Sequence, residues 1–377
     1  MKKRKSRLIW VIWALIIALV AVAGLMAFKQ WEYTQSADYY HSLRGQNRLM
    51  HWLIPSACAE ETIVQDAEAL RFLVESLFAA ATGTTEADEL AARKDMDEPA
   101  QLARSAANAA YRAQVLPWLK ACFQPDGWAD AAKEPAELDA QSAYEAMQQN
   151  PLGRQYLQLL EPFGGTDFAT CFDVSRRICR QWVGEIDPVR LREINRHYEM
   201  WLYAPGTPID YPVVQCSNND RYLSKLFDGR RNSSGTLFID YRNLDDLGDP
   251  NTLIYGHHMR NKSMFGTLVF YKEQAYYEAH PYMLVMDEDQ IWLVELFSGY
   301  TTTSTDHCYD IALSDDRDLQ RFVAEAQRKS NFVSPMQVTA GNRLLTLSTC
   351  AYSFENARYI AIGKLTPWWQ KTDGAMP

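Results

Sequence analysis

Two β-rich runs near the end of the chain, Arg343-Leu-Leu-Thr-Leu-Ser-Thr-Cys350 and Arg358-Tyr-Ile-Ala-Ile-Gly-Lys-Leu365, flank a short polar loop. If runs joined this closely pair as antiparallel neighbours, Cys350 and Arg358 meet at the same end of a sheet. A thiol at a strand end beside a guanidinium suits a nucleophile whose transition state carries an oxyanion. Taken singly, each residue has a blander reading. A lone cysteine is more often a buried structural side chain, and an arginine opening a strand is usually a solvated edge charge.

A thiol nucleophile needs a proton-transfer partner, and Thr252-Leu-Ile-Tyr-Gly-His-His-Met259 offers one at the end of another β-rich run. Successive strand residues point to opposite faces, so His257 and His258 cannot both turn toward Cys350. One is therefore catalytic and the other structural. Further strands read at Ile209–Val214, Thr236–Asp240, Leu253–Tyr255, Tyr282–Met286 and Gln290–Phe297, separated by loops rich in Asp, Asn and Gly. Short strands at this spacing argue for a barrel. One late helix, Asp316 to Lys329, places Leu319, Phe322, Val323 and Ala326 on one face.

These pieces resemble the class B sortases. The matching blocks are Pro205 to Gln215, Gly235 to Arg242, Tyr255-Gly-His-His-Met259, Met264-Phe-Gly-Thr-Leu268, Thr346-Leu-Ser-Thr-Cys350 and Arg358, in order over roughly residues 187 to 368. The resemblance implies a mainly β fold, a closed sortase-type β-barrel with peripheral helices; the residues before it read as an α-helical region, longer than the segment class B sortases usually carry there, preceded by one N-terminal transmembrane helix. It implies a cysteine transpeptidase with Cys350 as nucleophile, His257 as the catalytic histidine and Arg358 as the fixed cation. Ser348, Thr349 and Tyr352 are assigned to substrate binding. The donor would be a secreted protein with an Asn-Pro-x-Thr-like sorting signal, and the acceptor an amine of a peptidoglycan precursor. A pilin lysine is the alternative acceptor, and a cysteine endopeptidase using water is the rival activity. Some class B members carry an acidic residue two places after the cysteine; here that position is Tyr352, so no third acidic member is expected.

The N-terminus decides the compartment. Six residues after Met1, four of them Lys or Arg before Arg7, precede an uncharged apolar run from Leu8 to Phe28. At 1.5 Å per residue such a helix spans a hydrocarbon core of about 30 Å. The basic cluster stays cytoplasmic, which places everything after Lys29 outside; the resemblance implies a Gram-positive-type cell surface. Ala21-Val-Ala23 has the small-x-small form of a signal-peptide cleavage site, but the apolar run continues past it. The expected organisation is therefore a basic segment (1–7), a signal anchor (8–28), an extracytoplasmic helical region (29–182) and a catalytic domain (183–377).

In the helical region, Ile63, Ala67, Leu70, Val74, Leu77 and Phe78 follow a 3.6 period that Gly83 ends. Helices are also expected around Gln101–Ala113, Glu137–Gln149 and Phe168–Trp182, and another from Arg190 to Trp201 leading into the catalytic domain. The region supplies no acid, base or nucleophile, so a fragment from residue 183 is expected to fold and cleave peptide alone. Seven cysteines are an odd number for an oxidising compartment, leaving at least one free. No pairing is assigned among Cys58, Cys122, Cys171, Cys179, Cys216 and Cys308; if Cys171 and Cys179 share a helix, they stand about 12 Å apart and cannot bond. The net charge of −9 argues against a nucleic-acid partner. No motif implies a cofactor or a metal: there is no glycine-rich phosphate loop, HExxH or paired CxxC, and Asp245 to Asp249 lacks EF-hand spacing.

Overall fold

The computed structural model describes residues 2–51, 63–83, 98–124, 128–131, 140–244, 246–350 and 356–371. Its strands are β1 (Trp128–Asp130), β2 (Tyr198–Tyr203), β3 (Asp210–Val214), β4 (Leu237–Ile239), β5 (Asn251–Tyr255), β6 (Tyr282–Met286), β7 (Gln290–Thr303), β8 (Arg343–Cys350) and β9 (Ala357–Lys371). They hydrogen-bond in the order β9-β7-β6-β2-β3-β4-β5-β8, and β8 pairs back onto β9. The result is a closed eight-stranded barrel, with β1 added antiparallel to the far end of β9. Closure removes the free edges that an open sheet would expose. Two pairings are parallel, β3 with β4 and β5 with β8; the rest are antiparallel.

The helices are α1 (Lys2–His51), α2 (Ala67–Thr82), α3 (Glu98–Cys122), α4 (Ala140–Gln149), α5 (Pro151–Leu159), α6 (Phe168–Val183), α7 (Pro188–Ile194), α8 (Gln274–Ala279) and α9 (Asp316–Lys329). Local signals set many of their ends. Asp66 caps α2 through the amides of Glu68 and Ala69, and Gly83 closes it in the left-handed region. Asp167 and Thr170 form a capping box at α6. Asp315 caps α9, which buries the four residues expected from its period. Pro151 is the first residue of α5, where its missing amide proton costs nothing, with Asn150 as the cap.

Two expectations are corrected. More residues lie in helices than in strands, so the "mainly β" description holds only for the barrel itself. The stretch Arg190 to Trp201 is not one helix: α7 stops at Ile194, Asn195 is extended, and Tyr198 to Trp201 belong to β2. The cause is tertiary, because the buried Asn195 amide donates to the Phe227 carbonyl (2.7 Å) and to the Tyr222 hydroxyl (2.9 Å).

The helices share one hydrophobic core with the barrel. Tyr203 of β2 packs against Phe78 of α2 and Trp182 of α6, with ring centroids 6.2 and 4.5 Å away. Phe123 reaches Trp368 of β9, and the Trp369 indole donates to the Lys120 carbonyl (3.0 Å). Strands β3 and β6 are accordingly buried along their whole length, as strands covered on both faces must be. A smaller core lies under α9, where Phe322 and Val323 join Phe297, Ile360 and Ile362.

Helix α1 runs without a break from the basic cluster into contact with the barrel. Its described side chains begin at Ala18, inside the apolar run, and Leu19, Leu25, Met26 and Phe28 are exposed. Among the described residues no helix is long and apolar enough to cross a membrane; the side chains of residues 2–17 lie outside that set. Cys171 and Cys179 do share a helix, α6. They are free, as are Cys122, Cys216 and Cys308; Cys58 lies outside the described residues.

Candidate active site

The register of three adjoining strands assembles the site. Across β8 and β9, Cys350 stands directly opposite Arg358. Across the parallel pair β5 and β8, Tyr255 stands beside Ser348, and the Gly256 amide continues the ladder by donating to the Ser348 carbonyl (3.1 Å). Two residues beyond that pair, the chains reach 257 and 350 at the same level. Residues 257, 350 and 358 therefore emerge together at one end of the barrel. Gly256 is required by space: a Cβ there would lie 2.4 Å from Leu237 and 2.6 Å from Phe265. The Cys350 side chain and Tyr352 lie outside the described residues.

His257 is held by a group with no side-chain signature. Its Nε2 lies 2.6 Å from the Leu223 carbonyl. A carbonyl only accepts, so Nε2 carries the proton and Nδ1 is left for exchange with a reacting group. A carboxylate fills this orienting role in many nucleophile–histidine pairs. The His257 carbonyl also accepts from the Phe265 amide (3.0 Å), which closes the loop after the histidines. His258 forms an isolated bridge to Met264 within that loop. Arg358 is half-buried and donates to the carbonyl of Ala357 (3.2 Å).

Ser348 and Thr349 are both buried, each 2% exposed. The Ser348 hydroxyl is 2.8 Å from that of Tyr309, whose ring stacks on Tyr255 at 6.3 Å. Burial pushes the Tyr309 hydroxyl well above its ordinary range, so it remains protonated. Tyr255 in turn donates to Asp240 (2.9 Å), which also accepts from Arg242 and Asn219. Burial alone would raise the Asp240 carboxyl, but the hydrogen bonds from Arg242 and Tyr255 outweigh it and hold the group below the usual range. Tyr309 and the Asp240 network were not legible in the sequence, since each depends on which loop folds over which strand. Among the described residues, no group of three or more His, Cys, Asp or Glu is placed to hold a metal.

Comparison with known proteins decides the family. No family model matches the chain. It is 34% identical over 177 residues to Sortase B of Staphylococcus aureus, covering 46% of this chain and 72% of that protein. Over 186 residues it is 33% identical to Sortase B of Listeria monocytogenes, covering 48% of this chain and 76% of that one. The chain belongs to the sortase B family. It is accordingly a sortase-type cysteine transpeptidase. Among solved structures, a Staphylococcus aureus sortase B–substrate complex matches with 35% identity and a TM-score of 0.45, over 48% of this chain and 84% of that one. Clostridium perfringens sortase B matches with 33% identity and a TM-score of 0.46, over 48% and 100% of the respective chains. The matches to the two curated relatives leave about half of this chain unaligned.

Proposed function

We propose that Cys350 of this sortase cleaves an Asn-Pro-x-Thr-like sorting signal on a secreted protein and that His257 and Arg358 complete its active site. The observation that carries this reading is the register that brings 257, 350 and 358 to adjoining strand ends. The Cys350 sulfur attacks the threonine carbonyl, and a C–S bond forms as the carbonyl oxygen becomes an oxyanion. The planar guanidinium of Arg358 stabilises that charge and the substrate backbone. Nδ1 of His257 takes the thiol proton as the sulfur attacks, and passes it to the leaving amine as the oxyanion collapses and the C–N bond breaks. A thioester remains on Cys350. An amine of a peptidoglycan precursor attacks it and gives a proton to His257 Nδ1; an amide forms, the C–S bond breaks, and the released sulfur takes that proton back. The reaction needs no redox step and no further co-reactant.

The apolar run 8–28 supports a single-pass anchor with the catalytic residues outside the cell. Its described apolar side chains are exposed along α1, as lipid-facing positions would be. Incubation of the full chain with a sorting-signal peptide, with and without an added amine such as triglycine, tests the reaction. The expected result is an amide product with amine present, and a thioester trapped on Cys350 in its absence. A Cys350→Ala chain that still cleaves the peptide, or a product that is always the free acid, would refute the proposal.

A further inference from the structure

The helix that carries the apolar run packs, through Glu32, Ser36 and Tyr40, on the loop that holds the histidine read as catalytic. The loop from Tyr222 to Thr236 supplies the Leu223 carbonyl to His257, and Gly235 lies against both partners of that hydrogen bond. A Cβ on Gly235 would stand 3.1 Å from His257 Cδ2, 3.1 Å from the Leu223 oxygen and 2.5 Å from the Tyr222 oxygen. Gly235 has φ +63, a left-handed conformation natural to glycine. Its backbone thus forms a wall that the imidazole rests against.

Helix α1 fixes that wall. Tyr40, only 7% exposed, donates its hydroxyl to the Gly235 carbonyl (2.7 Å) and lies 3.0 Å from Thr236 Oγ1. Thr236 in turn donates to the Lys225 carbonyl (2.8 Å) and its amide to the Tyr222 carbonyl (3.0 Å), which binds the two ends of the loop together. One turn earlier, Ser36 meets Ser234 (2.9 Å), and Glu32 takes hydrogen bonds from Asn232 and Ser233. The Tyr40 ring also packs edge-on against Tyr211, with centroids 5.2 Å apart. Tyr211 accepts from the Met264 amide (3.1 Å), in the loop that follows His257. Tyr40 therefore touches the supports on both sides of the histidine without touching the histidine.

We propose that Tyr40 is a positioning residue for the His257 imidazole, acting from the anchor-bearing helix through the Gly235 carbonyl. The inference rests on the reading of His257 as the proton-transfer partner of Cys350. In Tyr40→Phe the buried Gly235 carbonyl loses its partner while the ring and its packing on Tyr211 remain. The wall can then relax away from the imidazole, and the Leu223 hydrogen bond loosens. Proton transfer suffers in the transition state, whereas peptide binding does not.

The test uses the full chain in detergent or nanodiscs, with an Asn-Pro-x-Thr peptide as probe. For Tyr40→Phe the expected result is a kcat about tenfold lower at unchanged KM, with a Tm within about a few degrees of the parent. Ser36→Ala removes a neighbouring contact but leaves the Gly235 carbonyl paired, and should keep kcat within about twofold. A second readout needs no turnover: 15N-histidine NMR, with the His257 signals assigned by their loss in His257→Gln. The parent should hold His257 as the Nε2-protonated tautomer, and Tyr40→Phe should populate both tautomers. An unchanged kcat with a single tautomer in Tyr40→Phe would overturn the inference, as would an effect on KM alone. If the parent cleaves no peptide, the proposed reaction fails, and the tautomer comparison still decides the role of Tyr40.

Discussion

Replacing Arg112 of α3 with alanine should destabilise the whole assembly, because it strands a buried carboxylate between the helical layer and the barrel. Arg112 and Glu278 of α8 form an ion pair whose side chains are only 4% and 3% exposed. Arg112 Nη2 also donates to the Glu278 carbonyl (3.1 Å). The carboxylate takes further hydrogen bonds from Asn108 (3.3 Å) and Gln274 (2.9 Å). Arg112→Ala leaves those two amides as partners but removes the compensating charge. Breaking a pair this deeply buried costs about 3–5 kcal/mol. Urea unfolding followed by tryptophan fluorescence reads the loss directly, since Trp118 and Trp182 are buried in the same helical layer. The control is the double variant Arg112→Met with Glu278→Leu, which removes both charges and keeps apolar volume. It should recover most of the loss and lie within about 1 kcal/mol of the parent. A loss under about 1 kcal/mol for Arg112→Ala, or costs that simply add in the double variant, would refute the reasoning.

Three further outcomes follow from the same contacts. A fragment of residues 183–377 should be aggregation-prone or bind hydrophobic dye, because it uncovers Tyr203, Trp368 and Trp369; each large apolar side chain re-exposed costs about 1.5–3 kcal/mol, and a cooperatively folded, active fragment would show the helices dispensable. Arg358→Lys should lose most of its rate in peptide cleavage while His258→Ala stays near the parent, since a point charge cannot reproduce the planar fork; a dead His258→Ala beside an active His257→Ala would reverse the two histidines. Burial pushes the His280 imidazole down to about 4, with the Pro205 carbonyl only partly offsetting it. Because the folded value lies below the ordinary 6.5, its contribution is complete above that pH and is lost as pH falls toward 4. The loss is at most about 3 kcal/mol, and His280→Gln should show a smaller drop in urea midpoint between pH 7 and 4.5 than the parent.

The sequence by itself determined whatever depends on near neighbours in the chain. The bounds of β8 and of α9 follow from alternation, a 3.6 period and the Asp315 cap, which are local properties of the residues. The meeting of Cys350 and Arg358 follows as well, because a short loop between two β-runs fixes the register of an antiparallel pair. Tertiary structure decided what spans long separations. Leu191, Ile194, Tyr198 and Trp201 fit a helical period, yet Asn195 breaks it, because its side chain is claimed by Tyr222 and Phe227 from another segment. The helical region reads as a detachable spacer, since its apolar faces do not reveal that they close on the barrel. The acceptor that orients His257 is a backbone carbonyl, a group every residue carries, so no residue type could announce it. The bond from Tyr40 to Gly235 joins residues 195 apart, and a tyrosine on an amphipathic helix looks the same whatever it touches. Only the closed barrel, by bringing distant loops to one rim, gives those ordinary groups their place around the histidine.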